Sequence, residues 1–209
     1  MSMKKFLMIL LLILIFVFGS IIIFWPKISW YSENFIGSNK LRSWDYTWAL
    51  LDFDKAINYN ANFAKAYYNR GYVKRRLFDY TWSLQDYNKA IELKSTMIAA
   101  YIERGLLKAT LRDYAGSLLD FNRVIELDSK LAPAYEDRWS AKVNLQDYAW
   151  ALEDYNKTIE LDPKDNSVYY NRWVLEILMK DITKGCSDLN DSLKLGNKNS
   201  IQDLDMYCK

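Results

Sequence analysis

The chain has 209 residues, of which 28 are basic and 26 are acidic, and it contains no histidine. The formal net charge of +2 and the interleaving of the charges exclude the concentrated basic footprint of a nucleic-acid-binding protein. Without histidine the chain lacks the commonest general base and metal ligand, and it carries no glycine-rich phosphate loop. We therefore expect no enzymatic activity, no catalytic residue, no metal, no cofactor and no small-molecule substrate.

The first predicted element is a membrane span near the amino terminus. Residues 6–25 are twenty consecutive residues without a charge, and as a helix they span about 30 Å, the thickness of a bilayer core. A cleaved signal peptide is the alternative, and Lys4 and Lys5 before the apolar run favour it. A signal peptide has a shorter apolar run and a small-residue cleavage site, which this segment lacks. We predict that residues 1–27 form an uncleaved signal anchor, which makes the chain a single-pass membrane protein.

The charges that flank this span bear on its orientation. Lys4 and Lys5 precede it, and Lys27, Lys40 and Arg42 follow it. The charges nearest to the span favour a cytoplasmic amino terminus, which places the rest of the chain on the extracytoplasmic side of the membrane.

Beyond the span, the sequence repeats at an interval of 34 residues. The residues that recur at this interval include Arg70, Arg104, Arg138 and Arg172, and also Asp52, Asp86, Asp120, Asp154 and Asp188. Within a unit, apolar or small residues fall mostly at steps of three, four and seven, with a break at Asp79 and Tyr80, which indicates two antiparallel helices. Self-similarity at this period predicts an all-α stack of small helical units.

These units resemble the tetratricopeptide repeat (TPR) family. Its pattern has an aromatic residue, a small residue four positions later, and then alanine, aromatic and alanine in the second helix. In three units the matching residues are Tyr67, Gly71, Ser83, Tyr87 and Ala90; Tyr101, Gly105, Ser117, Phe121 and Val124; and Tyr135, Trp139, Ala151, Tyr155 and Thr158. The resemblance implies a right-handed superhelical solenoid behind the one transmembrane helix. Its helix-turn-helix units are expected at about 30–63, 64–97, 98–131, 132–165 and 166–198.

The recurring arginines and aspartates are expected to form structural ion pairs. In a hairpin whose turn centres near Phe78, Arg70 and Asp86 lie at equal distances from the turn and therefore face each other. The planar guanidinium of arginine suits a bidentate contact with a carboxylate. The four expected pairs are Arg70 with Asp86, Arg104 with Asp120, Arg138 with Asp154, and Arg172 with Asp188.

Function in the family usually lies in the concave groove that the first helix of each unit lines, so the resemblance implies a protein or peptide partner. The groove positions carried over to this sequence are Tyr68, Asn69, Tyr72, Ile102, Glu103, Leu106, Glu136, Asp137, Tyr170 and Asn171. Tyrosines and acids in these positions favour a segment with aromatic and basic side chains. The alternative is that the tyrosines only shield neighbouring helices.

The favoured function is therefore a membrane-anchored protein–protein interaction module, a scaffold or adaptor in the cell envelope. Two alternatives stay open. The chain is a structural spacer that self-associates, or it is an accessory subunit of an envelope enzyme complex.

The end of the chain predicts a capping helix and leaves a cysteine pair open. Gly196 ends the last repeat helix, and residues 199–209 are expected to form a short helix that caps the stack. If this helix folds back on the repeat, Cys186 and Cys208 meet, and outside the cytoplasm they form a disulfide. The alternative is two separate thiols.

Six of the eight tryptophans stand where the family or a sister unit has glycine. They are Trp44, Trp48, Trp82, Trp139, Trp150 and Trp173. One explanation is a gene in which UGA encodes glycine and has been read as tryptophan. The other is that the tryptophans are genuine, with some facing solvent and the stack widened around the rest. The sequence leaves both open.

Overall fold

The computed structural model describes residues 46–208. Within this range the chain forms ten α-helices and no β-strand. The helices are α1 Tyr46–Tyr59, α2 Ala64–Arg76, α3 Tyr80–Leu93, α4 Ile98–Thr110, α5 Tyr114–Leu127, α6 Ala132–Asn144, α7 Tyr148–Leu161, α8 Asn166–Leu178, α9 Ile182–Lys194 and α10 Ser200–Tyr207. Helices α1–α3 belong to one compact unit, and α4–α10 belong to a second unit that begins at Ile98.

The predicted membrane anchor, residues 6–25, lies outside the described residues, as does the first helix expected in the first repeat unit. None of the helices within residues 46–208 combines the length and the apolar character needed to cross a membrane.

The helices pair as the hairpins α2–α3, α4–α5, α6–α7 and α8–α9, and all four use the same turn. One residue in each turn has a left-handed backbone, with φ between 62° and 65°. These residues are Phe78, Arg112, Gln146 and Lys180. The N–H of the following aspartate then donates to a carbonyl near the end of the first helix, as Asp79 does to Lys74 at 2.9 Å. This bond satisfies a carbonyl that the helix end leaves open, which fixes where each first helix stops.

Close contact between the two helices of a hairpin depends on a small residue at their crossing. A Cβ built on Gly71 would lie 3.0 Å from ring atoms of Tyr87, and one on Gly105 would lie 3.0 Å from Phe121. Both rings are fully or almost fully buried. Burying an aromatic side chain of this size stabilises a fold by about 1.5–3 kcal/mol, so the glycines allow the main apolar contact of each hairpin.

Helix α10 is attached to the last hairpin by a covalent bond and by a polar contact. Cys186 on α9 and Cys208 after α10 form a disulfide with an S–S distance of 2.04 Å. The hydroxyl of Tyr170 on α8 donates to Asp203 on α10 at 2.8 Å. The sequence left the state of the two cysteines open, and the structure joins them.

Candidate functional site

The recurring arginines and aspartates meet in all four hairpins. In α2–α3, Arg70 donates from Nε and Nη2 to the two carboxylate oxygens of Asp86 at 2.9 and 2.6 Å. The same bidentate geometry joins Arg172 and Asp188 at 2.5 and 2.6 Å. Arg104 with Asp120 and Arg138 with Asp154 make the same kind of contact, with Nε–O distances of 3.0 Å in both pairs.

Three of these arginines also contact the second helix of the preceding repeat. Nη1 of Arg70 donates to Asp54 at 2.7 Å. In the same way, Nη1 of Arg138 donates to Asn122 at 2.9 Å, and Nη1 of Arg172 donates to Asn156 at 2.6 Å. Each guanidinium is therefore committed to the scaffold on two sides, and it has little capacity left for a ligand.

A row of three lysines completes the ion pairs of the first three hairpins, and these lysines were not among the residues predicted from the sequence. Lys74 lies 2.7 Å from Asp86, and the equivalent Lys108 and Lys142 each lie 2.8 Å from the aspartate of their own hairpin. The three lysines recur at 34 residues, so the repeat itself carried the signal. Two cations on one buried carboxylate offset the cost of removing that charge from water.

The last hairpin departs from this arrangement at Glu176, which takes the lysine position. The residue is 7% exposed, and its Oε2 has no hydrogen-bond partner within residues 46–208. Burial, together with the nearby charge of Asp188, raises the pKa of Glu176 to about 7. The folded state therefore favours the neutral carboxyl group at this site.

In the unit that contains α1–α3, the expected groove tyrosines already contact cations. Lys65 Nζ lies 4.3 Å from the ring centre of Tyr68, and Arg75 lies 5.6 Å from that of Tyr72. Asn69, which the sequence placed in the open groove, is only 5% exposed and has little surface for a ligand. A basic partner would compete with Lys65 and Arg75 here, so these tyrosines do not favour one.

In the second unit, the acids of α6 present a different surface. Glu136 and Asp137 are half-buried, and no cation within residues 46–208 pairs with them. Burial, reinforced by Glu136, raises the pKa of Asp137 to about 6. Burial and the charges of two aspartates in the α7–α8 loop raise the pKa of Glu136 as well. Two adjacent carboxylates that lack a cation are complementary to a basic side chain.

The other groove positions of this unit differ in how accessible they are. Ile102, Glu103 and Leu106 are half-buried on α4. Tyr170 is engaged by Asp203 through its hydroxyl, so the chain's own last helix occupies that position. Asn171 lines a cavity of about 150 Å³ beside Trp139.

Among the described residues, no group of three or more carboxylate or cysteine side chains is placed to hold a metal ion.

Comparison with known proteins agrees with this geometry. Residues 64–96 match the sequence profile of the family described as tetratricopeptide repeat. The chain superposes on the structure of MamA (residues 41 to the end) from Desulfovibrio magneticus RS-1 with a TM-score of 0.74. The two sequences are 17% identical, and the match covers 80% of this chain and 94% of that one. The chain has the tetratricopeptide-repeat fold.

Two further TPR-like structures support this assignment. YrrB, described as a TPR protein with an unusual peptide-binding site, gives a TM-score of 0.72 at 19% identity, over 79% of this chain and 86% of that one. PilF from Pseudomonas aeruginosa gives a TM-score of 0.70 at 14% identity, over 83% of this chain and 79% of that one. No curated protein sequence matches the chain. At these identities the similarity establishes the shared TPR fold.

Proposed function

We propose that this TPR chain is a membrane-anchored interaction module of the cell envelope. In this proposal residues 6–25 anchor the chain, and the first helices of the TPR hairpins bind a peptide or protein segment. The Cys186–Cys208 disulfide supports an extracytoplasmic position, because disulfides persist in oxidising compartments. The likeness to YrrB, whose description includes a peptide-binding site, supports the binding role.

The observation that carries the binding role is the acidic pair on α6. Glu136 and Asp137 lie on the first helix of their hairpin without a cation, while the aspartates of the scaffold each have one or two. A lysine or arginine of a bound segment would offset the cost of keeping these carboxylates half-buried and charged. We therefore assign basic side chains of the partner to α6.

Calorimetry with the purified full-length chain in detergent tests this assignment. The probe is a short synthetic peptide in which lysine alternates with tyrosine, and the matched control has glutamate in place of lysine. We expect the lysine peptide to bind and the glutamate peptide not to bind. Neutralising both acids, with Glu136→Gln and Asp137→Asn, should weaken binding of the lysine peptide about tenfold, or roughly 1.4 kcal/mol in binding free energy.

A matched double variant on an outer helix separates local recognition from net charge. Glu153→Gln with Glu160→Gln removes the same charge from α7, where both side chains are exposed. Equal weakening by the two double variants would show that only net charge matters, and it would exclude α6 as the site. Affinity should also rise as the pH increases through about 6, since Asp137 then ionises, and Asp137→Asn should remove that rise.

Membrane anchoring is tested separately. The native chain should stay with membranes during alkaline extraction, and a chain without residues 1–27 should be released. Protease added to intact cells after removal of any outer barrier should cut the TPR region if it is extracytoplasmic. Release of the full chain by alkali, or protection of the TPR region, would contradict the corresponding part of the proposal.

A further inference from the structure

The tryptophans that stand in glycine positions fall into two structural groups. Three are the third residue of a second helix, the position that Gly116 takes in α5; they are Trp48, Trp82 and Trp150. We call these the cap tryptophans. Two occupy the helix crossing, the position of Gly71 and Gly105; they are Trp139 and Trp173. We call these the crossing tryptophans.

The cap tryptophans coincide with the loss of a helix cap. In α5 the carboxylate of Asp113 accepts a hydrogen bond from the N–H of Gly116 at 2.9 Å. A Cβ at position 116 would overlap that carboxylate. Where tryptophan takes this position, in α3 and α7, the equivalent Asp79 and Asp147 make no capping hydrogen bond. With Lys184 at this position, the cap bond that its N–H donates to the carboxylate of Asp181 is longer, at 3.4 Å.

At Trp82 and Trp150, the contacts among the described residues offset little of that loss. The indoles of the cap tryptophans are 56–57% exposed, so they bury little apolar area. Trp82 and Trp150 contact lysines only at 5.6 and 5.8 Å, near the outer limit of a cation–π interaction. Those two lysines already pair with buried aspartates.

The crossing tryptophans disturb the packing more severely. In α2 and α4 the crossing has no room for a methyl group without displacing a ring. With Trp139 there instead, the indole stacks on Tyr155 at 4.3 Å between ring centres, and a cavity of about 150 Å³ opens beside it towards α8. Helix α7 packs less closely against α8 than α5 does against α6.

The indole nitrogens give a second sign of misfit. Nε1 of both Trp139 and Trp173 is buried and has no hydrogen-bond partner in the part of the chain that the structure describes. A buried donor without an acceptor is destabilising, and glycine at this position would carry no such donor.

We propose that both groups are glycine in the protein that its own cell makes, because the gene uses UGA as a glycine codon. Trp44 belongs with them although it lies outside the described residues. Its repeat position is that of Phe78 and Arg112, where the backbone has φ of 63° and 64° and glycine is favoured.

The proposal changes which surfaces count as functional. The exposed cap tryptophans are not a docking surface, and the cavity beside Trp139 is not a ligand pocket. The proposed function rests on Glu136 and Asp137, which are not among the six positions, and it is tested by peptide binding rather than by the identity of these residues.

Mass spectrometry of the chain purified from its own cells tests the proposal directly. Trypsin cuts after Arg138 and after Arg172, so positions 139 and 173 become the first residues of two peptides. We expect both peptides to carry glycine, and we expect UGA at all six codons in the gene. Tryptophan in either peptide, or a UGG codon at position 139 or 173, would overturn the proposal.

A folding experiment gives an independent answer. In a chain produced with tryptophan at all six positions, Trp139→Gly and Trp173→Gly should each raise the thermal unfolding midpoint. Ser140→Gly on α6, where the side chain is exposed, is the control and should lower it, as glycine inside a helix normally does. If the two tryptophan variants lower the midpoint as the control does, the crossing was built for tryptophan and the proposal fails.

Discussion

The hairpins α4–α5 and α8–α9 belong to the same compact unit and share one turn geometry, but they are held together by different interactions. In α4–α5 the buried Asp120, 2% exposed, has both Arg104 and Lys108 as partners. In α8–α9 the buried Asp188 has Arg172 alone, since Glu176 replaces the lysine.

The last hairpin has instead a disulfide and an extra helix. Cys186 and Cys208 tie α9 to the end of α10, and no equivalent bond exists in α4–α5. Hairpin α4–α5 has two cations on its buried aspartate, whereas α8–α9 has one cation and a covalent bond to the segment that follows α9. The difference indicates that covalent closure compensates for a weaker ion cluster at the end of the chain.

Removing the arginine tests this difference with the largest expected effect. Arg172→Ala leaves Asp188 buried beside Glu176 without a cation, and should cost roughly 3–5 kcal/mol of unfolding free energy. Arg104→Ala leaves Lys108 on Asp120 and should cost clearly less. Urea unfolding of both variants measures the two losses. Arg123→Ala, which removes an exposed pair with Glu126, is the control and should have little effect.

Equal losses for Arg172→Ala and Arg104→Ala would mean that Lys108 contributes nothing to the α4–α5 cluster. The comparison between the two hairpins would then rest on the disulfide alone.

Breaking the disulfide should have the next largest effect. Cys186→Ser with Cys208→Ser releases a bond between residues 22 apart in sequence, and loops of this size are worth about 3 kcal/mol. Hydrogen exchange should show faster opening of α9 and α10, with little change in α4 and α5. Uniform acceleration across all these helices would show that the bond stabilises the whole unit rather than its end.

The sequence predicts the pairing of the helices in more detail than it predicts the side-chain contacts of the candidate site. The interval of 34 residues locates paired helices and places Arg104 opposite Asp120, because both are fixed by distance from one turn. The lysine row was also readable from the interval, and was overlooked. Burial of Glu176 was not readable, since it depends on how three helices pack. The contact of Lys65 with Tyr68 depends on side-chain rotamers, which no interval encodes.

Glu176 makes the stability of the last hairpin sensitive to pH. Its folded pKa of about 7 lies above the ordinary glutamate value of 4.5, so folding favours the protonated form. The stabilisation is complete below about pH 4.5 and is lost as the pH rises to about 7. Thermal unfolding of the native chain and of Glu176→Gln across this range measures the effect.

The variant should be the more stable protein at about pH 8, and the difference between the two should vanish near pH 4.5. Glu176→Lys should stabilise the hairpin further, because it restores the residue found at Lys74, Lys108 and Lys142. A difference between the native chain and Glu176→Gln that does not change with pH would show that Glu176 titrates normally.

Substitutions at the turn residues should have the smallest effect on the free energy of unfolding. That effect should be the same in the two hairpins. Arg112 and Lys180 have φ of 64° and 65°, a left-handed backbone that costs a residue with a side chain roughly 1–2 kcal/mol. Replacing either with glycine relieves that strain but gives the unfolded chain more freedom, so the net gain should be about 0.5–1 kcal/mol. Urea unfolding of Arg112→Gly and Lys180→Gly should therefore give the same small increase. The alanine variants should give none, because alanine keeps the Cβ that causes the strain. A larger gain at Lys180 than at Arg112 would mean that the last turn is strained beyond its backbone angle, and the two hairpins would then differ in geometry as well as in charge.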